Sequence, residues 1–353
     1  MSKPKVLVWL SGGVDSAVSA FLLMQQGYEV IAWFMKNYAD ESNPHCQTRQ
    51  DRDSALQVAQ HLGIKTFIIF DFRKQYHDTI VDYIIRGYES GITPNPDILC
   101  NSEIKFKLFL DHALDLGCHY IATGHYAQID HTDTWYHLLR WADHHKDQSY
   151  FLSGLDQMQL SHALFPLWHL HKTEVRQIAH DIALPNADRP DSQWLCFIGP
   201  VPMRQFLKQY LPPKPGVIRH IDGHVVGTHD GAYQYTIWQR HGLGLNTQSY
   251  VVSVDVVSNE VVVWPTDTQA LWVEQCLIWD IHWIADTYSF PLLTTAKIRY
   301  RQDPIPVRII AQGTQYVCYF DQAQKGVAPG QTIVLYHGEE CIGSALIQKD
   351  MRL

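Results

Sequence analysis

No apolar run in this chain reaches the length of a membrane span, and no N-terminal segment joins a basic start to an apolar stretch and a small-residue cleavage site. A soluble, cytoplasmic protein without membrane contact is the expectation. The seven cysteines are odd in number, widely scattered and free of any CxxC pair, which argues against a disulfide framework and against a thiolate zinc site. Individual thiols can still be reactive. An excess of positive charge is also missing: the formal net charge is −8, so any RNA partner would have to be held by local patches. Histidines are plentiful, His144-His145 among them, but they lack a convincing ligand spacing, and no metal ligands are assigned. There is no internal repeat and no low-complexity tail. What is present is an ordinary globular composition over 353 residues, too long for one small core, which predicts two or three domains.

From Val6 to about Thr123, short apolar runs alternate with amphipathic segments, the pattern of an α/β doubly wound parallel sheet. Strands are expected at Lys5–Leu10, Glu29–Phe34, Lys65–Asp71 and His119–Thr123. Helices are expected near Ala17–Gln26, Arg49–His61, Lys74–Ser90 and Ile104–Leu116, with Gly27, Gly63 and Gly117 placed as left-handed caps. Leu160–Ala183 reads as one further helix. Ligands of such sheets gather at the carboxyl ends of the strands. The Ser11–Ser16 turn, Met35 after the second strand and Thr123-Gly124-His125 after the fourth fall on that edge. A Pro-rich connector, Tyr210–Gly216, leads into short strands around Gly223–Trp264, and from about Thr268 alternating Val, Ile, Trp and Tyr segments suggest a small β-barrel. The expected domains are 1–205, a small central α+β domain at 206–267, and the barrel at 268–353.

Three motifs carry chemistry. Ser11-Gly12-Gly13-Val14-Asp15-Ser16 follows an apolar strand and opens a helix, so exposed N–H groups and two hydroxyls form an anion site suited to pyrophosphate. No Lys follows in GxxxxGK[ST] spacing, so this is not a Walker-type loop. In Thr93–Asn101 the prolines at 94 and 96 forbid a regular helix, and a rigid loop would hold Asp97 and Cys100 one turn apart. That suits a thiol nucleophile beside a carboxylate, and equally a buried filler cysteine with a loop-capping aspartate. Asp191–Gly199 contains Cys196 between Leu195 and Phe197, a setting that fits core packing as well as catalysis.

SGGVDS resembles the PP-loop of the ATP pyrophosphatase superfamily, with its adenine nucleotide alpha hydrolase-like fold. Together with TPNPDILCN, ATGHYA at 122–127, KDQSYFL at 146–152 and DSQWLCFIG, in that order, the chain resembles bacterial tRNA-specific 2-thiouridylases over nearly its whole length. The resemblance implies ATP- and Mg²⁺-dependent conversion of the wobble uridine, position 34, to its 2-thio form. It implies Cys196 as persulfide carrier, Cys100 as the nucleophile that releases its sulfur, and a transient Cys100–Cys196 disulfide. Leu10, Ser11, Gly12, Gly13, Val14, Asp15, Ser16, Met35 and Gly124 would bind ATP, while Asn95, Pro96, Asp97 and His125 would meet the target base. Lys146, Asp147, Gln148, Arg299, Tyr300 and Gln331 would contact tRNA, with Arg299, Tyr300 and Arg301 alternating along a barrel strand. Implied partners are the Lys, Glu and Gln isoacceptors and, for sulfur, a relay protein or a cysteine desulfurase.

The chain departs from the family pattern at three motifs. Lys-Asp-Ser-Thr-Gly-Ile-Cys is replaced by Pro190-Asp-Ser-Gln-Trp-Leu-Cys196, Gly-Met/Leu-Ser-Gly-Gly by Trp9-Leu10-Ser11-Gly12-Gly13, and Ile-Gly-Gln-Arg by Ile237-Trp238-Gln239-Arg240. Two alternatives stay open: another PP-loop ligase or thiolase acting on a small molecule, and a non-catalytic, ATP-responsive RNA-binding module.

Overall fold

Val6, Leu7 and Val8 are fully buried, and strand β1 (Lys5–Trp9) accordingly lies at the middle of a five-stranded parallel sheet. The computed structural model describes residues 3–37, 48–141, 143, 146–190, 201–265 and 271–350. The chain forms two compact units. The first takes Met1–Ile80, Asp97–Val201 and Glu339–Cys341, and the second takes Val81–Pro96, Pro202–Gly338 and Ile342–Leu353.

In the first unit β1 pairs with β2 (Glu29–Lys36), which pairs with β3 (Phe67–Asp71). On its other edge β1 meets β4 (Tyr120–Ala122). The four expected strands are therefore present, with β2 running two residues further than expected, so that Met35 lies within it, 2 % exposed. A fifth strand was not expected. Leu160–Ala183 is not one helix: Gln157–His162 ends at β7 (Ala163–Leu164), which pairs with β4, and a new helix begins at Lys172. The separate hairpin of β5 (Gln128–His131) and β6 (Tyr136–Leu139) is likewise additional, and Glu340–Cys341 pairs with it.

Helix α1 (Val14–Gln25) and helix α2 (Thr48–His61) follow β1 and β2. Gly27, Gly63 and Gly117 have φ of +90°, +70° and +71°. After Gly27 the Tyr28 N–H reaches back to the Leu23 carbonyl, and the same closure recurs from Ile64 to Ala59 and from Cys118 to Ala113. These are the left-handed caps the glycines imply. The strand order β3-β2-β1-β4-β7 reverses direction at β1–β4, which opens a crevice at the carboxyl ends of those two strands.

In the second unit, β8 (Gly216–His220), β9 (Val225–His229), β10 (Ser249–Asp255) and β11 (Glu260–Pro265) form a sheet ordered β10-β11-β8-β9. The remaining strands are β12 (Trp272–Trp283), β13 (Leu292–Lys297), β14 (Ile305–Gln312), β15 (Gln315–Lys325), β16 (Thr332–His337) and β17 (Glu340–Asp350). They run in the order β12-β15-β14-β13-β16-β17, and β12 pairs again with β17, which closes the barrel. Its interior is filled by Ile278, Ala296, Ile309, Cys318, Ile333 and Leu335. Cys276 and Cys318 face each other across β12 and β15. No helix among the described residues is long and apolar enough to cross a membrane.

Candidate active site

The turn after β1 is set by its own hydroxyls. Ser16 donates to the Gly13 carbonyl at 3.0 Å and accepts from the Ser11 N–H at 3.2 Å, while the Gly13 N–H donates to the Ser11 hydroxyl at 3.4 Å. Helix α1 starts after Gly13 with no side chain capping it, which leaves first-turn N–H groups facing outward as anion donors. Gly12, at φ +84°, turns its carbonyl the other way, where it accepts from Ser54 Oγ at 2.9 Å, Asn186 Nδ2 at 2.9 Å and Arg189 Nη1 at 3.1 Å. A Cβ at Gly12 would stand 2.5 Å from the Asp51 carbonyl oxygen. Gly124, at the end of β4, is required for a different reason. A Cβ there would lie 2.9 Å from the Ser16 nitrogen and 3.0 Å from Asp15, so β4 and the start of α1 touch backbone to backbone.

The cation that a Walker-type loop would carry in sequence arrives here from elsewhere. Lys172, the first residue of helix α3 (Lys172–Asp181), places Nζ 2.6 Å from Asp15 Oδ1, and the Tyr126 hydroxyl donates to the same oxygen at 2.8 Å. Arg189 adds a second cation, paired with Asp51. Burial pushes the Asp51 carboxyl upward and the guanidinium draws it back. Arg176 holds Arg189 in place through the Ala187 and Arg189 carbonyls, each at 3.2 Å. None of Lys172, Arg189, Tyr126, Asn186 or Ser54 was singled out from sequence, and only Tyr126 lay inside a quoted motif.

The Thr93–Asn101 segment does not stay a loop. Pro96 takes the first position of a helical turn, Pro96–Leu99, where its missing N–H costs nothing, and Cys100–Leu108 continues it in wider π-type turns. Asp97 and Cys100 thus share one helical turn, and the helix expected from Ile104 begins eight residues earlier. Cys100 is 1 % exposed, and Asn101 donates to the Phe151 carbonyl at 3.0 Å. Burial raises Asp97 above the usual carboxylate range, against the pull of Lys105. The same Lys105, whose Nζ lies 4.8 Å over the Trp9 ring, adds to the burial that drives His125 well below its ordinary value. His125 is therefore a neutral imidazole, its Nδ1 2.8 Å from the Thr123 hydroxyl. Lys105 links Asp97 and His125 electrostatically, and no sequence signal had marked it.

In the second unit the segment leading to Asn95 and Pro96 is braced by the Pro329-Gly330-Gln331 turn. Gln331 Nε2 donates to the Thr93 carbonyl at 2.8 Å, the Thr93 N–H donates to the Pro329 carbonyl at 2.8 Å, and Thr93 and Thr236 join hydroxyls. A Cβ at Gly330 would reach 3.0 Å from Thr93. Arg299, Tyr300 and Arg301 do not alternate along a strand as expected. β13 ends at Lys297, and these residues form the turn beyond it, closed by Gln302 N–H to the Arg299 carbonyl at 3.3 Å. Arg301, at φ +65°, folds over the Tyr300 ring at 5.5 Å.

In the Lys146–Gln148 segment, Asp147 is turned inward. Its carboxylate accepts from the Trp141 and Ser149 N–H groups, both at 3.1 Å, and from the Ser149 hydroxyl at 3.0 Å, so it holds the segment together. Gln148 Oε1 accepts from the Tyr126 N–H at 2.9 Å, which ties this segment to the Asp15 site. Cys196 lies outside the described residues. His220, Asp222 and His224 bring their ligand atoms within 4.8 Å of one another at the β8–β9 turn, a grouping that the sequence reading passed over. Asp222 there bridges the two imidazoles, which accounts for the arrangement as a turn clasp.

Three family models match in succession: a tRNA methyl transferase HUP domain over residues 4–200, a tRNA methyl transferase PRC-barrel domain over 204–265, and an aminomethyltransferase beta-barrel domain over 273–347. The chain is 44 % identical over 356 residues to the tRNA-specific 2-thiouridylase MnmA 2 of Geobacillus kaustophilus, covering 99 % of this chain and 95 % of that protein. It is 45 % identical over 358 residues to the tRNA-specific 2-thiouridylase MnmA of Nitrosomonas europaea, covering 98 % and 99 %.

Proposed function

Because the chain belongs to the family of tRNA-specific 2-thiouridylases, we propose that it replaces the C2 oxygen of the wobble uridine with sulfur, using ATP to activate the oxygen and a cysteine persulfide to deliver the sulfur. The observation that carries this reading is the presence, in one compact unit, of a helix start with no side-chain cap and of a helical turn that carries Asp97 and the buried Cys100. One part binds the phosphates of a nucleotide and the other suits thiol chemistry at a base.

In this reading residues 1–205 bind ATP and perform the chemistry, 206–267 form a central domain, and 268–353 grip the RNA. Ser11, Gly13 and the first turn of α1 orient the triphosphate, Lys172 and Arg189 offset its charge, and Leu10, Met35 and Gly124 shape the adenosine side. The uridine O2 attacks the α-phosphorus, the Pα–O bond to the β-phosphate breaks, and pyrophosphate leaves into the anion cradle. Asp97, kept protonatable by burial, manages the proton of the base, with neutral His125 beside it. The terminal persulfide sulfur of Cys196 attacks C2 and the C2–O bond breaks, releasing AMP with the original oxygen. Cys100 attacks Cys196 Sγ and takes the sulfane sulfur's place, leaving a Cys100–Cys196 disulfide that two electrons from external thiols reduce. The partly exposed Asp15 carboxylate is a hard oxygen donor of the kind Mg²⁺ takes, so Asp15 would hold the ion, which would supply charge neutralisation there. The base must leave its stack to reach this turn. Lys146, Gln148, Arg299 and Tyr300 are proposed to meet the RNA, while Asp147 and Gln331 hold the segments that do so. The substrates would be the Lys, Glu and Gln isoacceptors, with a relay protein or cysteine desulfurase as sulfur source, and the cytoplasm the compartment.

The test is incubation of the purified protein with ATP, Mg²⁺, a persulfide-generating desulfurase and unmodified glutamate tRNA, followed by mercury-affinity electrophoresis. Retarded tRNA is expected from the wild type and not from Cys100→Ser or Cys196→Ser. Wild-type protein that binds ATP and tRNA but yields no retarded tRNA would favour a non-catalytic RNA-binding module.

A further inference from the structure

The turn Thr236-Ile237-Trp238-Gln239 is closed by the Gln239 N–H donating to the Thr236 carbonyl at 3.1 Å, and it is pinned to β10 by the Trp238 N–H donating to the Val251 carbonyl at 2.8 Å. Its third residue has φ +74°, the position and the conformation for which such turns select glycine. This chain puts its bulkiest side chain there instead. Nothing in the turn itself rewards that choice, because glycine would make the same backbone hydrogen bonds without strain. A strained residue kept by its surroundings points to the ring having a use.

The ring's surroundings are cationic and aromatic. The Trp238 indole lies 4.7 Å from the Tyr250 ring at an interplanar angle of 29°, and Lys325 Nζ sits 5.3 Å from the Trp238 ring and 4.4 Å from the exposed ring of Trp272. Beneath them is Gly326, where a Cβ would come within 3.2 Å of Arg299 Nη1 and 3.4 Å of the Trp238 ring, so the exposed Arg299 also borders this surface. A lysine over two indoles marks electron-rich faces, one on the partly exposed Trp238 and one on the exposed Trp272. An aromatic plane flanked by two cations is the chemistry that binds unpaired nucleotides: the base stacks on the ring while the cations meet the adjacent phosphates.

We infer that Trp238, with Lys325, Trp272 and Arg299 around it, is a stacking platform for an unpaired nucleobase of the RNA substrate. The inference rests on the proposed function in taking tRNA as that substrate. It adds an RNA-reading position that none of the motifs marked.

Three variants of the full chain test it: Trp238→Gly, whose turn takes the conformation without strain, Trp238→Phe, which restores a ring, and Lys325→Met. Affinity for unmodified glutamate tRNA is measured by fluorescence anisotropy across a salt series, alongside affinity for ATP. Trp238→Gly is expected to weaken tRNA binding about 5- to 150-fold, the equivalent of about 1–3 kcal/mol, with the salt slope and ATP affinity unchanged. Trp238→Phe should recover most of the loss, and Lys325→Met should lower the salt slope by about 1. Wild-type binding with Trp238→Gly within twofold of it would overturn the platform and leave the proposed function standing. Failure of the wild type itself to bind tRNA would overturn both.

Discussion

Replacing Gly124 with alanine should damage ATP binding more than it damages the fold. The added Cβ would sit 2.9 Å from the Ser16 nitrogen and 3.0 Å from the Asp15 Cβ and carbonyl carbon. Ordinary van der Waals contact is near 3.4–4 Å, so the two backbones must part by about half an ångström or more, a strain typical of overpacked sites. What gives way is the first turn of α1, because β4 is held between β1 and β7. That turn is the proposed anion cradle. Overpacking of this kind costs about 1–3 kcal/mol. If the cost is relieved by moving the cradle, it is read in nucleotide affinity as about 5- to 150-fold.

Gly27→Ala is the matched control. Gly27 has φ +90° and nothing within 4 Å of its Cβ position, so alanine there meets only the left-handed penalty of about 1–2 kcal/mol, far from the nucleotide. Isothermal titration with ATP and thermal melts of both variants separate the cases. Gly124→Ala should lose affinity with a modest fall in Tm, and Gly27→Ala should lose Tm with affinity intact. Equal ATP binding in Gly124→Ala and wild type, or equal loss in both variants, would refute the backbone-contact argument.

Lys172→Met should weaken ATP binding about 10- to 100-fold, since it removes a charge-assisted contact at Asp15 and a cation beside the proposed cradle, and titration calorimetry would read the loss directly. Asp97→Asn should abolish thiolation yet raise Tm at pH 7: the native carboxyl titrates above its unfolded value, so wild-type stability falls as pH rises through that window, and the amide escapes the loss. His125 has the opposite sign. Its native value is depressed, so below about pH 6.5 the unfolded chain takes up a proton that the native one refuses, and stability is lost as pH is lowered; His125→Gln should flatten that part of a Tm-against-pH curve. Gln331→Ala removes one hydrogen bond, about 1 kcal/mol, from the Thr93 brace, and it should reduce thiolation in the mercury-gel assay while ATP affinity stays at the wild-type level.

What could be read from the sequence was what is local. The three glycine caps, the strand-turn-helix at Ser11–Ser16 and the four expected strands each depend on a few neighbouring residues whose φ preferences or periodicity are written in order. β7 escaped because two residues show no period, and its helix-like flanks absorbed it into Leu160–Ala183. The Pro96 turn was misread because proline was taken as a helix breaker, whereas at a first helical position its fixed φ helps. Arg299–Arg301 were placed on a strand by alternation alone, although the turn that follows β13 is fixed by Gln302, a contact that alternation does not encode.

The parts of the site that the sequence concealed are the ones that distant segments supply to a single atom. The Gly12 carbonyl accepts from residues 54, 186 and 189, and Asp15 Oδ1 from residues 126 and 172. A carbonyl with three donors cannot rotate its peptide without abandoning several of them, so the glycine pair is held in the one conformation that faces the next N–H groups outward. Sequence supplies the glycines that permit the conformation, and tertiary structure supplies the donors that select it. Arg189, clamped on Gly12 and Asp51, is one of these distant donors, so the glycine pair is tied both to helix α2 and to the residues that follow helix α3.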